Sequence, residues 1–299
     1  MTTALALIQS ASQEMGLASP SVVVGSQTQD TVQMLALLNG LGGELQREFI
    51  WQNTDKEYRF TTQFVTTTGT TTAGSAVITG IPSTAGIDAT YMVIGTGINQ
   101  DSYVSSIDSA TQITMVQSAS ASGTVALNFC KVKYALPADY DRPIDRTQWD
   151  KTKHWEMLGP ETSQQWQWLK SGYIATGPRI HFRMIGGYFE IWPAVASAEY
   201  IGFEYMSNGW VTSSSGVAKT AISADTDTCA FPDRLMVCGL KMKYFEIKGF
   251  DASAFTRDYT RQLDIAKAND AGSKTLSMAP NPSAVLLTDR NAPDSGYGQ

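Results

Sequence analysis

The sequence predicts an α+β protein in which N-terminal and C-terminal helices form an antiparallel bundle beside a β-rich middle. Apolar residues recur at helical spacing near both ends of the chain, strand-like runs fill its centre, and the last 29 residues show little periodicity. An inserted small β-sandwich and an extended C-terminal tail complete the predicted architecture. Residues 1–61 and 131–270 are the expected core, 62–130 the insert and 271–299 the tail.

Two helices are predicted at the start of the chain. Thr3 can cap a short helix, and Gly16 stands where a left-handed residue would end it. Asp30 can cap a longer helix, along which apolar side chains recur at spacings of three and four. These side chains are Leu35, Leu38, Leu41, Leu45 and Phe49. Each helix is therefore expected to bury one face.

Three glycines, Gly40, Gly42 and Gly43, interrupt the second helix. Each glycine costs about 1 kcal/mol relative to alanine inside a helix. Either the helix breaks there or another backbone approaches it closely, as happens between subunits. We therefore take Gly40, Gly42 and Leu45 as candidate subunit-interface residues.

Residues 61–129 differ from the rest of the chain because they contain no Lys, Arg or Glu. Short β-branched and apolar runs alternate there with turn residues, a pattern typical of a small β-sandwich or barrel. The predicted strands are Ser75–Thr79, Tyr91–Gly95, Ser102–Ile107, Gln112–Val116 and Thr124–Phe129. The flanks Glu57–Thr61 and Cys130–Leu136 would join as a hairpin if this segment were removed, so we interpret it as an inserted domain.

Strand patterns continue after the insert and then give way to helices. The predicted strands are Val132–Leu136, Arg179–Met184, Tyr188–Trp192 and Tyr200–Tyr205. The pair Gly186-Gly187 suits a tight turn between the second and third of them. Pro232 suits the first turn of a third helix, and Asp251 or Ser253 can cap a fourth.

The charge balance argues against several classes of function. The chain has 22 Lys and Arg against 28 Asp and Glu, a net charge of −6. Ordinary nucleic-acid binders gain most of their affinity by neutralising phosphates with basic side chains, so this class is not expected. No run of about 18 apolar residues predicts a membrane span. The segment Met1–Ala18 has no Lys or Arg, so a secretion signal is not expected either.

The metal-binding residue types are few and scattered. Cys130, Cys229 and Cys238 have no C-x-x-C spacing, and we interpret them as small buried apolar residues. His154 and His181 are the two histidines of the chain, so a zinc site would need distant ligands. We predict no metal and no cofactor.

Catalytic motifs are absent or weak. The sequence has no P-loop, no Gly-x-Ser-x-Gly elbow and no His-Glu-x-x-His motif. Two groups of aspartates could hold calcium or supply a glycosidase carboxylate, although capping of loop turns is the favoured interpretation. They are Asp139, Asp141 and Asp145, and Asp225 and Asp227. His154 could act as a general base, but no nucleophile lies near it in sequence. We therefore expect the protein not to be an enzyme.

Five of the seven tryptophans lie between Trp149 and Trp192. Trp166 and Trp168 could line a sugar-binding platform, or they could pack at an interface between subunits. Both interpretations remain open, and the first defines an alternative function, a carbohydrate- or receptor-binding module.

Several segments, taken in order, resemble a known family. They are Thr2-Thr3-Ala4, Arg47-Glu48-Phe49, Tyr134-Ala135-Leu136-Pro137-Ala138-Asp139, Phe203-Glu204-Tyr205-Met206-Ser207, Trp210-Val211, Asp225-x-Asp227 before Phe231-Pro232, and Leu235–Ile247. This order resembles the head-to-tail adaptor proteins of short-tailed bacteriophages, also known as connector, tail-tubular or head-completion proteins. The resemblance covers residues 1–60 and 131–270. The insert departs from the minimal family, which is chiefly helical.

The resemblance implies a structural virion protein without catalytic residues, made in the host cytoplasm. It implies a dodecameric ring that joins the portal protein to the tail nozzle protein and lines the DNA ejection channel. Double-stranded DNA would pass through the lumen without specific binding, and no membrane contact is implied. Gly40, Gly42, Leu45, Trp166 and Trp168 become candidates for the ring interface.

The family also implies that the C-terminal segment reaches along the portal exterior. A segment that becomes ordered on a partner needs side chains that can offset its loss of entropy. The apolar and aromatic side chains available for this are Leu276, Met278, Val285, Leu286, Leu287 and Tyr297. We predict that they form the portal-binding tail.

Overall fold

A computed structural model describes residues 2–171 and 177–270 of the chain. The α-helices are α1 (Ala4–Glu14), α2 (Gln29–Glu48), α3 (Ser163–Lys170), α4 (Asp233–Ile247) and α5 (Ser253–Asp270). The strands before α3 are β1 (Asp55–Thr61), β2 (Phe64–Thr71), β3 (Val77–Ile78), β4 (Tyr91–Gly95), β5 (Val104–Ser109), β6 (Gln112–Met115), β7 (Gly123–Lys131), β8 (Lys133–Ala135), β9 (Tyr140–Pro143), β10 (Trp149–Asp150) and β11 (Trp155–Glu156). Those after it are β12 (His181–Ile185), β13 (Tyr188–Trp192), β14 (Tyr200–Ser207), β15 (Val211–Thr212), β16 (Ala218–Lys219) and β17 (Thr228–Cys229). The predicted mixed α+β class is confirmed.

The chain divides into two compact units. Residues 2–56, 138–144 and 204–270 form the first, and residues 57–137, 145–171 and 177–203 form the second. This division differs from the predicted domains, which placed residues 145–203 with the helices. The physical reason is strand pairing, because β8, which directly follows the predicted insert, pairs with β13 in an antiparallel sheet.

Helix α4 forms the centre of the first unit, where it packs against α1, α2 and α5. Its Gly239 lies so close to Leu41 of α2 and Tyr259 of α5 that an added Cβ would stand 2.6 Å from the Leu41 side chain. The three helices can approach at this crossing because the glycine has no side chain. The apolar stripe predicted for α2 points into this core, and Leu38, Leu41 and Leu45 are fully buried.

The predicted helix starts are partly confirmed. The Thr3 hydroxyl caps α1 by accepting from the Ala6 N–H at 3.3 Å, and Gly16 has a φ of 71° after the helix. The prediction that Asp30 caps the second helix is wrong, because α2 begins at Gln29 after Thr28. Asp30 lies instead in the first turn, and its carboxylate accepts hydrogen bonds from Tyr244 of α4 and from Lys248 directly after that helix, each at 3.0 Å.

A turn over residues 223–228 holds the start of α1. The Asp227 carbonyl accepts from the Ala4 N–H at 2.7 Å, and the Asp225 carbonyl accepts from the Leu5 N–H at 3.2 Å. These bonds satisfy two of the N–H groups that a helix leaves unpaired at its N-terminus. The Asp225 carboxylate also accepts from the Val24 N–H at 2.7 Å. The turn therefore fixes both α1 and the segment that follows it.

The Asp227 carboxylate is fully enclosed in this turn. It accepts from the N–H groups of Ser223 and Ala224, both at 2.9 Å, and from Lys219 Nζ at 2.9 and 3.0 Å. Burial raises the pKa of Asp227, but these hydrogen bonds outweigh burial, so the pKa lies below its usual value. Asp225 and Asp227 thus serve the fold, as the favoured interpretation of these aspartates expected.

In the second unit, two three-stranded sheets, ordered β2–β7–β4 and β3–β6–β5, enclose a core of their own. Its fully buried members include Ile78, Ile113, Leu127 and Phe129. The predicted strand at Tyr91–Gly95 is confirmed, whereas β2 was not predicted although it pairs with β7 along its whole length. Its threonine-rich sequence lacks the apolar alternation that marks a half-buried strand.

Three further strand predictions need adjustment. Ser75–Thr79 shortens to β3 because the Ser75 hydroxyl accepts from the Val77 N–H within a turn. The strand predicted at Ser102–Ile107 begins later, at Val104 of β5, because the Ser102 hydroxyl donates to the Asn99 carbonyl at 2.7 Å within the preceding turn. The flanks of the insert do not pair as a hairpin, since β1 neighbours β14 and β8 pairs with β13. The tight turn at Gly186-Gly187 is confirmed, with φ values of 58° and 79°.

A chain of charged and aromatic side chains joins α3 to the sheets of the second unit. Arg183 lies over the buried ring of Trp166, 4.6 Å from its centroid, and donates from Nε to Glu190 at 2.6 Å. Lys133 pairs with the same Glu190 at 3.3 Å. Helix α3 and Trp166 are therefore held by β12, β13 and β8.

The same chain of contacts reaches the predicted insert. Lys133 lies over the ring of Tyr103, with Nζ 5.2 Å from its centroid. Lys170, the last residue of α3, lies over the same ring at 4.7 Å and pairs with Asp101 at 2.7 Å. Because these contacts couple the strands of residues 91–131 to α3, residues 145–203 belong to the unit that contains the insert.

We expect Asp227→Asn to lower the free energy of unfolding by about 2 kcal/mol near neutral pH, because Lys219 and two backbone N–H groups lose a charged acceptor. A carboxylate with a lowered pKa stabilises the fold above its unfolded pKa, and this contribution is lost as the pH falls through the folded value. The difference from wild type should therefore shrink below about pH 4. Chemical denaturation across this range measures it, with the exposed Asp145→Asn as control. An unchanged difference at low pH would contradict the assignment.

Candidate functional site

The aspartates considered as catalytic residues are engaged in the fold. Asp139 accepts from Tyr205 at 2.9 Å, from Ser207 at 2.8 Å and from Lys56 Nζ. Burial raises the pKa of Asp139, but these hydrogen bonds outweigh it and the pKa is lowered. Asp141 lies 3.7 Å from Arg47, and Asp145 is exposed. Asp139 is therefore a structural carboxylate, because its lone pairs already accept hydrogen bonds within the fold.

The other chemical candidates are also dispersed. His154 is exposed in the turn between β10 and β11, and His181 Nδ1 lies 2.7 Å from Glu161. The three cysteines are buried, as predicted, and burial raises the pKa of Cys130 to about 11 and of Cys229 to about 12. Within the part of the chain that the structure describes, no group of three or more His, Cys, Asp or Glu could hold a metal ion.

The candidate interface residues separate into buried and exposed ones. Gly42, Leu45 and Trp166 are enclosed by their own chain, so we no longer assign them to an interface. Gly40 is exposed, and Trp168 is 56% exposed. The helix neither breaks at its glycines nor meets another backbone at Gly42, which lies directly against the Trp210 ring.

Gly40 and Gly43 lie on the open side of α2. A Cβ added at either position would meet no atom within 4 Å, so nothing in the described chain requires glycine there. Both residues line a depression with a volume of about 400 Å³, which we name the α2 notch. Its lining residues are Gly40, Gly43, Glu44, Gln46, Arg47, Asp141, Asn208, Trp210 and Thr220.

The α2 notch has a fixed floor and a charged rim. Gln46 is buried and donates to the Ser207 carbonyl at 2.9 Å, which holds α2 in place beside β14. At the rim, Arg47 and Asp141 form a loose pair, and Glu44 pairs with Lys243 at 2.7 Å. The notch therefore offers exposed backbone between polar side chains, a surface suited to close contact with another protein segment.

Sequence reasoning did not select Gly43, although a signal was present. On a helix with 3.6 residues per turn, Gly40 and Gly43 fall with the polar Glu44 and Arg47, whereas Gly42 falls beside the apolar stripe. The predicted portal-binding residues Leu276, Met278, Val285, Leu286, Leu287 and Tyr297 lie outside the described residues.

Comparison with models of known protein families gives no match, and comparison with curated proteins gives none either. None of the described helices combines the length and the apolar character needed to cross a membrane.

Alanine substitutions at neighbouring glycines should have opposite effects. Gly43→Ala should raise the free energy of unfolding by up to about 1 kcal/mol, because alanine favours the helix and meets no neighbour. Gly42→Ala should lower it by about 1–3 kcal/mol, because the new methyl group overlaps the Trp210 ring. Chemical denaturation measures both values. Equal effects of the two substitutions would show that the two sides of α2 have been misassigned.

Proposed function

We propose that this protein is a structural assembly subunit, a head-to-tail adaptor that forms a ring between portal and tail. The observation that carries the proposal is the α2 notch, where two helical glycines stand open although nothing in the described part of the chain requires glycine there. In a closed ring each subunit presents one surface to a different surface of its neighbour. The notch is the surface that we assign to such a contact.

The energetics of the glycines support this assignment. Gly40 and Gly43 together lower helix stability by about 2 kcal/mol relative to alanine. No contact within the described chain offsets this, because a Cβ at either position would find open space. A neighbouring backbone that approaches the bare helix would offset it, since only glycine permits such an approach.

The proposal includes the finer features predicted from the sequence. The helices of the first unit act as the bundle, the strands of residues 62–130 as an outward sandwich, and residues 271–299 as an extended portal-binding tail. Double-stranded DNA would pass the ring without being gripped, because a chain with net charge −6 supplies few cations to replace phosphate counterions. No enzymatic step is proposed, since Asp139, Asp225 and Asp227 already serve as acceptors within the fold.

A carbohydrate- or receptor-binding virion module is the second candidate. It is favoured by a cavity in the second unit, lined by the aromatic Trp192 and by Ile98 and Pro193 among others, which at about 160 Å³ is smaller than the usual small-molecule site and could hold only part of a glycan. The predicted platform of Trp166 and Trp168 does not support it, because Trp166 is covered by Arg183. Glycan binding that is lost on Ile98→Glu, in the lining of this cavity, would favour this candidate over the ring.

Blocking the notch tests the leading proposal. We expect Gly43→Trp to remain monomeric by native mass spectrometry while the wild type forms rings, because the indole fills the space that a neighbour needs. Thr260→Trp, on the exposed face of α5, is the matched control and should assemble normally. Far-ultraviolet circular dichroism of the two variants should agree and verifies that both are folded, since neither substitution touches the core. Normal rings from Gly43→Trp would contradict the proposal.

A second test concerns the tail. We expect truncation at Gly272 to leave thermal unfolding unchanged and to abolish attachment to purified portal, because the apolar anchors are removed. Co-sedimentation with portal measures attachment, and the full chain is the control. Attachment by the truncated protein would remove the role assigned to residues 271–299.

A further inference from the structure

A groove of about 220 Å³ lies in the first unit at the end of α5. Trp51, Leu235 and Ala266 line it and are buried beneath its surface. Ile265 also lines it and is 43% exposed, which leaves an apolar side chain open to solvent at the groove. We name this surface the α5 groove.

The chain continues from the α5 groove itself. Asp270, the last residue of α5, lines the groove, and its carboxylate accepts from the Gln52 N–H at 2.9 Å. This bond holds the end of the helix beside Trp51. Leu276, the first large apolar residue after α5, follows six positions later. Six residues span at most about 20 Å, so the connection keeps Leu276 close enough to contact the groove.

The size and chemistry of the α5 groove favour a peptide as occupant. Small-molecule sites usually enclose about 300–1,000 Å³, more than this groove offers. An apolar side chain suits the lining, and the side-chain amides of Gln262 and Asn269 at the groove can bond to the backbone beside it.

A tethered occupant needs little intrinsic affinity. A short flexible connection raises the effective concentration of a segment to the millimolar range. A contact with a millimolar Kd would then be formed about half of the time. We infer that residues 271–278 occupy the α5 groove of their own chain, with Leu276 as the apolar anchor. This inference does not depend on the ring-forming role of the α2 notch.

Proteolysis of the full-length protein tests the inference. Within residues 271–299, trypsin can cleave after Lys274 and after Arg290, and of these two sites only Lys274 lies close to Leu276 in sequence. Cleavage after Lys274 should be about twofold faster in Ile265→Glu than in the wild type, because the segment would then be free all of the time, while cleavage after Arg290 serves as the internal reference. Ile247→Glu, at a 58% exposed position of α4, is the matched control and should behave as the wild type. Thermal unfolding verifies that the variants are folded.

A double variant separates docking from nonspecific effects, because residues in contact show non-additive changes. Leu276→Ser should also speed cleavage after Lys274, and Ile265→Glu should add nothing in that background. Unchanged cleavage in Ile265→Glu, or independent effects of the two substitutions, would overturn the inference. Protection that grows with protein concentration would overturn it as well, since it assigns the groove to the segment of a second copy.

Discussion

The first unit depends on the turn over residues 223–228, which ties the N-terminal helix to a part of the chain that follows about 200 positions later. Asp225 and Val24, for example, are 201 residues apart and joined by a hydrogen bond. Closing so long a loop costs entropy, although the cost rises only slowly with length. The turn offsets it with several charge-assisted bonds at once, since Asp227 alone satisfies two N–H groups and Lys219. Two of the aspartates that were considered as catalytic residues, Asp225 and Asp227, are the ones that close this turn.

Once α1 is fixed, the remaining helices of this unit follow from close crossings at glycine. Gly239 brings α4 against Leu41, and Gly42 receives the Trp210 ring on the other side of α2. These contacts bury one face of α2 and turn Gly40 and Gly43 outward. The α2 notch and the α5 groove therefore have a common origin, because α4 positions both α2 and α5.

The sequence predicted those features that depend on local spacing. Thr3, Gly16 and the Gly186-Gly187 turn are confirmed because each acts on its immediate neighbours. The Asp30 cap is wrong because α2 begins before it, at Gln29, and because bonds to Tyr244 and Lys248 engage its carboxylate. Burial of Trp166 could not be predicted, since it depends on Arg183 and Glu190, which lie opposite each other on β12 and β13 and not on its own helix. For the candidate site, helical spacing alone separates Gly40 and Gly43 from Gly42, but the notch also needs Asn208 and Thr220 from another segment.

The two partners proposed for Leu276, the α5 groove and a portal, are compatible if the contact at the groove is weak. A segment that is free for half of the time binds another partner with an apparent affinity reduced only about twofold, or about 0.4 kcal/mol. Occupation of the groove by Leu276 would therefore withdraw an apolar side chain from solvent in the free subunit and would hardly oppose its proposed transfer to a portal. A tighter contact would oppose assembly, since each tenfold gain in groove affinity would cost the partner about 1.4 kcal/mol. The open, shallow form of this groove suits a segment that must change partners.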